Sequence, residues 1–327
     1  MAHRSGLRVA IVSPDRGLRT DLPDYLIPER FISGGQNVIC RDGVILVRPG
    51  LSDMTTVTLN APTDRVMGGI YYKDEALAER LILGTLTKFH QWNGTAWSDI
   101  TGSALTGNTD QQVKFAIFPF TTSTRVIAVN DKDAPQSYLG SGTFAALGGS
   151  PPIARTVATV FQRVILGNVT VAGARRPSSM WISGFQDPTT WSSSFQVTLT
   201  DTNDAIVDIR ALNNQVFAIY KERSQWVGIG AGGIFPFVFE LRDQQVGPVS
   251  TNCVVQAGNE HYYIGLDGNV YKFDGNRCTP IGDFVKRTIQ ADLNFDDKER
   301  THGFFDPLNG EIYWYWPRAS GSGTGGI

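Results

Sequence analysis

The sequence predicts an all-β fold, a β-propeller of about six four-stranded blades with the last blade closed by an N-terminal hairpin. Three observations predict it. Short apolar runs recur in sets of four, separated by polar or Gly-containing turns, and the sets repeat every roughly 40 to 50 residues, the length of one propeller blade. The composition is 41% hydrophobic and only 18% charged with 35 glycines, which suits many short strands joined by tight turns.

The first set, within 65–102, reads "RVMGGIYYKD", "ERLILGTLTK", "KFHQWNG" and "TAWSDITG". The second, 113–149, reads "VKFAIFPFT", "RVIAVND", "PQSYLGS" and "TFAALGG". Three further sets follow at 154–201, 205–243 and 251–283. In every set the second run is the densest in apolar residues and opens on a polar one: Arg80, Arg125, Arg163, Gln215 and Glu260. The third run carries an aromatic near its centre, Trp92, Tyr138, Trp181, Trp226 and Tyr271. Residues of that size are expected to fill the wedge between neighbouring blades.

A sixth set begins with "THGFFDP" and "EIYWYWP" (301–317) and then runs into the Gly/Ser-rich tail 318–327. Half a blade is missing, and an open propeller would leave a sheet edge unpaired. The unassigned strand pair "NVICRDGVILVRPG" (37–50) has the length to complete it. It opens at Asn37, turns at Arg41, Asp42 and Gly43, and stops at Arg48, Pro49 and Gly50. Residues 1–36 then form an N-terminal arm ahead of one propeller domain, 37–317.

Charge and cysteine content exclude several classes. With 29 basic and 31 acidic residues the net charge is -2, so no global field draws the chain to DNA or an anionic membrane. Cys40, Cys253 and Cys278 show no CxxC spacing and leave one unpaired in any disulfide scheme, which points to a reduced site of synthesis. The apolar run Val9 to Val12 is too short for a signal-peptide core, and no apolar stretch is long enough to span a bilayer. The sequons at Asn93 and Asn168 therefore read as chance matches.

Several stretches in order resemble the short-tail nozzle, or tail-hub, propeller proteins of bacteriophages: "LPDYLIPERFISGGQNVICRDGVILVRPG" (22–50), "PPIARTVATVFQRVILGNV" (151–169), "WISGFQDPTTW" (181–191), "VGPVSTNCVVQAGNEHYYIGLDGNVYKFDGN" (246–276) and "FFDPLNGEIYWYWP" (304–317). The resemblance implies a structural virion protein of the viral tail, made in the bacterial cytoplasm. It implies a six-bladed subunit in a homo-oligomeric ring, usually a hexamer, beneath the portal and adaptor. The ring would touch adaptor and tail fibre proteins and continue the conduit for double-stranded DNA ejection.

No enzymatic constellation competes with this reading, and no cofactor or metal is expected. Asp131, Asp133, Asp187, Asp201, Asp204 and Asp208 lie mostly among Gly, Pro and Asn, where Asp caps turns through its own side chain. His3, His90, His261 and His302 lack metal-ligand spacing. The chain contains no GxSxG elbow or phosphate loop, and "GIGAGGIF" (228–235) sits between strands. Asp267-Gly268 is read as a type I′ turn before a calcium loop. Arg175 and Arg176, in "GARRPSS", could face DNA or a neighbouring subunit. Two alternatives remain: a glycan-binding or glycan-hydrolysing tail-tip propeller, which needs convergent carboxylates or exposed aromatics, and a cellular scaffold propeller.

Overall fold

The computed structural model describes residues 16–35, 38–41, 44–47, 65–94, 96–119, 124–232, 235–244 and 246–319. Val38–Arg41 (β1) and Val44–Val47 (β2) pair as an antiparallel hairpin. Blade 1 contains Val66–Lys73 (β3), Glu79–Thr85 (β4), Phe89–Trp92 (β5) and Trp97–Asp99 (β6). Blade 2 contains Lys114–Phe118 (β7), Arg125–Val129 (β8), Gln136–Tyr138 (β9) and Ala145–Ala146 (β10). Blade 3 has the longest strands, Ile153–Val160 (β11), Arg163–Val171 (β12), Ala174–Gly184 (β13) and Asp187–Thr198 (β14). Blade 4 contains Ile206–Ala211 (β15), Val216–Lys221 (β16), Gln225–Gly230 (β17) and Phe237–Asp243 (β18). Blade 5 contains Val255–Ala257 (β19), Glu260–Ile264 (β20), Val270–Phe273 (β21) and Cys278–Pro280 (β22). A short helix, Lys286–Asp292 (α1), and a 3-10 turn, Lys298–Arg300, lead into a final hairpin, His302–Asp306 (β23) and Glu311–Tyr315 (β24).

Each blade is an antiparallel meander in chain order, and the repeat placed all five within a few residues of their sequence boundaries. Strand periodicity explains how they stack. Side chains along a strand alternate between the two faces of its sheet. On β8, Val126 and Ala128 join the core shared with blade 1, while Ile127 and Val129 join the core shared with blade 3. On β16, Phe217 and Ile219 face blade 3, while Ala218 and Tyr220 face blade 5. A second strand apolar at every position is therefore a strand with a neighbouring blade on each side, which is why these runs show no polar alternation.

The third-strand aromatics sit largely as expected. Tyr138, Trp226 and Tyr271 are buried in the cores facing the preceding blade, and Trp181 packs against the core between blades 2 and 3. Trp92 has no complete preceding blade and is only half-buried, leaning on Trp97 of its own hairpin at 5.3 Å between ring centroids. Blades 1 and 2 approach closely where the first strand carries Gly68: a Cβ there would fall 2.0 Å from the Val113 carbonyl oxygen. Between blades 3 and 4, the two-residue turn Phe161-Gln162 takes positive φ at both residues, 50° and 55°, as a type I′ loop requires. The ring of Phe161 packs edge-on against Phe185 and Phe237, which holds this strained turn in place.

The sixth blade departs from expectation. Among the described residues there are five four-stranded blades, and the sixth position holds the two-stranded β23–β24 hairpin. The β1–β2 hairpin forms a separate two-stranded sheet and does not extend the β24 ladder. Its four-residue strands pair with each other from Val38↔Val47 to Arg41↔Val44. A side-chain contact makes the link instead, with Arg41 donating from Nε and Nη2 to Glu311 Oε1 at 3.0 and 2.6 Å. Backbone closure by the N-terminal hairpin is thus replaced by an ion pair. With two strands in place of four, the sixth position leaves Leu81 and Leu83, on the face of β4 away from blade 2, half-buried.

The described part of the N-terminal arm folds back on its own chain. The Arg19 guanidinium lies between the Phe31 and Phe284 rings, 5.4 and 4.6 Å from their centroids, and the Thr20 amide donates to the Phe284 carbonyl at 2.8 Å.

One histidine ties blades 4 and 5. The buried His261 ring donates from Nε2 to the Ala211 carbonyl at 2.9 Å and accepts the Tyr220 hydroxyl at Nδ1, also at 2.9 Å. That arrangement requires the neutral ring, and burial pushes its pKa from 6.5 down to about 4. Because the unfolded chain binds this proton more readily, the stabilisation is complete above the unfolded pKa and is lost as pH falls toward the folded one. Stability should fall by about 1.5 kcal/mol from this group between pH 6.5 and 5. Urea titrations across that window should show the slope in the wild type and lose it in His261→Gln, whose amide can serve both partners.

Candidate functional site

The first strands of successive blades surround a common axis, and their polar residues meet there. Lys114 on β7 donates to Asp208 Oδ2 on β15 at 2.9 Å and to the carbonyl of Thr251, just ahead of β19, at 2.8 Å. Thr156 on β11 donates to Asp208 Oδ1 at 2.6 Å, and Arg210 Nε donates to Asp208 Oδ2 at 3.0 Å. Asp208 thus receives donors from blades 2, 3 and 4. Thr251 Oγ1 adds a bond to the Val207 carbonyl at 3.1 Å, and Arg155 pairs with Glu299 beside the final hairpin.

Lys114, Thr156, Asp208 and Thr251 are all buried. A buried carboxylate is tolerated only when its lone pairs are occupied and its charge is met, as they are here. Burial pushes the Lys114 ammonium from 10.5 down to about 7, and Arg210 adds to the push while Asp208 opposes it. Where the first strands of blades 2, 3 and 4 converge, the interior is therefore occupied by side chains.

Beside this network lies a cavity of about 590 Å³ between β3, at the start of blade 1, and β23, in the last hairpin. Arg65, Gln112, Arg210, Asn252, Arg300 and His302 line it together with Val66, Met67 and Phe304.

The residues singled out from the sequence fall elsewhere. Asn37, Asp42, Gly43, Arg48, Pro49 and Gly50 lie outside the described residues. Arg41 meets Glu311. Arg175 and Arg176 lie near the exposed tip of the β12–β13 hairpin, where Arg175 pairs with Asp131 of blade 2. Asp187 caps its own turn by accepting the Thr189 amide at 2.8 Å, and Asp204 accepts the Arg223 amide at 2.9 Å. Asp208 contradicts the turn reading, because it is an interior strand residue with no water to solvate it.

At Asp267-Gly268 only the glycine has positive φ, 75°, so the turn is not type I′. The Gly268 amide donates to the Gly265 carbonyl, and Lys286 Nζ meets the Asp267 carboxylate at 2.6 Å. The Asp267 carboxylate is thus paired with an ammonium. Among the described residues no group of three or more His, Cys, Asp or Glu side chains could hold a metal, and no helix is long and apolar enough to cross a membrane.

Sequence reasoning missed the axial residues. A signal was present: Lys114 in "VKFAIF", Thr156 in "ARTVATV" and Asp208 in "AIVDIRA" each interrupt the apolar first strand of consecutive sets.

No family model matches the chain, and no curated protein does. Among solved structures it is similar to the Myceliophteria thermophila Cps50 (Swd1) β-propeller domain, at 10% identity and a TM-score of 0.45 over 67% of this chain and 80% of that one. It is also similar to YCF48 bound to D1 peptide, at 10% identity and a TM-score of 0.45 over 66% of each chain. A third, the Neurospora crassa Pan2 WD40 domain, shows 7% identity and a TM-score of 0.41 over 66% of this chain and 64% of that one. Independently of these likenesses, the strand order and the shared axis define a β-propeller.

Removing one member of a buried ion pair strands the other, at a cost of about 3–5 kcal/mol. Asp208→Asn leaves the buried Lys114 ammonium without a carboxylate and should lower the unfolding free energy by that amount, measured in urea, whereas Lys114→Met leaves Asp208 paired with Arg210 and should cost less. The double variant Lys114→Met/Asp208→Asn should be less destabilised than the sum of the two single variants, because no buried ammonium is then left alone.

Proposed function

We propose that the protein is a structural subunit of a bacteriophage short-tail nozzle or hub. It assembles as a ring, hexameric as the sequence resemblance implies, below the portal and adaptor, and DNA leaves through the opening bounded by the copies. The structural observation that carries association is β2. All four of its residues, Val44, Ile45, Leu46 and Val47, are apolar and exposed, at 49, 37, 44 and 81%. A run of apolar side chains on a short hairpin is a surface that proteins ordinarily cover.

The interior network supports the same arrangement. With the buried Lys114–Asp208 pair bridging the inner strands of blades 2 and 4, a conduit wide enough for duplex DNA would lie between copies rather than within one. The near-neutral charge suits passage, since many phosphate contacts would hold DNA in a salt-dependent way. Adaptor and tail fibre proteins are the expected partners, and the virion tail the expected location. Arg176, exposed near the β12–β13 tip, is the better placed of the two arginines for a partner contact, because Arg175 is already engaged with Asp131. Burial of Tyr138, Trp226 and Tyr271 between blades removes them as stacking platforms for a glycan.

The test places charge on one face of β2. Wild-type protein should form a closed oligomer by mass photometry, while Ile45→Lys/Val47→Lys should remain monomeric with an unchanged melting temperature. A wild-type chain that stays monomeric at micromolar concentration, or a doubly charged variant that still assembles, would overturn the role of β2.

A further inference from the structure

From the cavity between β3 and β23 we infer a binding site for a small phosphate-bearing anion, independent of ring assembly. Arg65 enters from the start of blade 1, Arg210 from blade 4, and Arg300 and His302 from the segment that begins the last hairpin. Among the described residues lining the cavity there is no aspartate or glutamate. Guanidinium groups on three separate elements suit a tetrahedral polyanion, which can accept from several directions, better than a single planar carboxylate.

The nearest acids offset only part of this charge. Asp208 is shared between Arg210 and the Lys114 ammonium, so two cations meet one carboxylate. Arg300 pairs through Nη2 with Asp297 at 2.9 Å and donates from the same atom to Thr109 at 3.1 Å. These two bonds hold the Arg300 guanidinium at the cavity wall.

The remaining lining fits an organic phosphate. Gln112 and Asn252 offer amide groups, and Phe304, 46% exposed, offers a ring face. At about 590 Å³ the cavity lies within the range of small-molecule sites. Its position gives binding a structural consequence. An anion held by Arg65 on one side and Arg300 on the other would join the first blade to the two-stranded sixth position, where no backbone ladder among the described residues makes that connection.

Calorimetry on the full chain, with pyrophosphate as the probe and no divalent cation present, tests the site. Expected are one saturable site with a Kd below about 1 mM at low salt, a raised melting temperature, and citrate at least tenfold weaker (K ratios of this size correspond to one decade in affinity). Arg65→Gln and Arg300→Gln should each weaken pyrophosphate at least tenfold. Should Arg300→Gln fail to fold, Arg65→Gln decides alone, since its side chain lies at the first residue before β3. Absence of saturable binding at 10 mM pyrophosphate, equal affinity for citrate, or undiminished binding by folded Arg65→Gln would each overturn the inference.

Discussion

Asp208 is the constraint on which the rest of the molecule depends. Its carboxylate is buried where the inner strands meet and takes donors from Lys114, Thr156 and Arg210. Apolar packing holds consecutive blades together pairwise, because each core is shared by two sheets. The Asp208 network is different in kind, since it joins blades 2, 3 and 4 at one point and reaches the segment entering blade 5 through Lys114 and the Thr251 carbonyl. Directional bonds across the axis fix how many first strands can approach it and at what distance, which non-directional burial does not specify.

The same logic explains the weaker side of the ring. Between blades 1 and 5 the sixth position contributes two strands, and the axial bonds there are fewer and more exposed: Arg155 with Glu299, and Arg300 with Asp297 and Thr109. The N-terminal hairpin adds the Arg41–Glu311 pair, whose two side chains are 34 and 24% exposed. An ion pair so open to solvent is worth little on its own. Closure on this side is therefore the least secured part of the propeller, and it is also where apolar surface and a cationic cavity are found. Both are features that a neighbouring copy or a ligand could satisfy.

The repeat was legible in the sequence because blade formation is local. A four-strand meander needs only apolar runs and turns in order, and Arg80, Arg125, Arg163, Gln215 and Glu260 mark the second strand of every blade in the structure. Closure was not legible, because whether "NVICRDGVILVRPG" continues the β24 ladder is a question of long-range strand pairing that its composition does not encode. The site was illegible for a related reason. Lys114 and Asp208 are separated by 94 residues, and only the folded ring shows that both lie on its axis. Asp208 in particular shares its residue type with Asp187 and Asp204, which meet loop amides, and its place inside an apolar first strand is what sets it apart.

The proposed arrangement sets copies around a shared opening, and side-chain-resolution electron microscopy of the protein mixed with duplex DNA tests it. Expected are continuous density joining Lys114 to Asp208 inside every propeller and DNA density confined to the space enclosed by several copies. DNA density along the axis of a single propeller, or no closed assembly of copies, would contradict that arrangement.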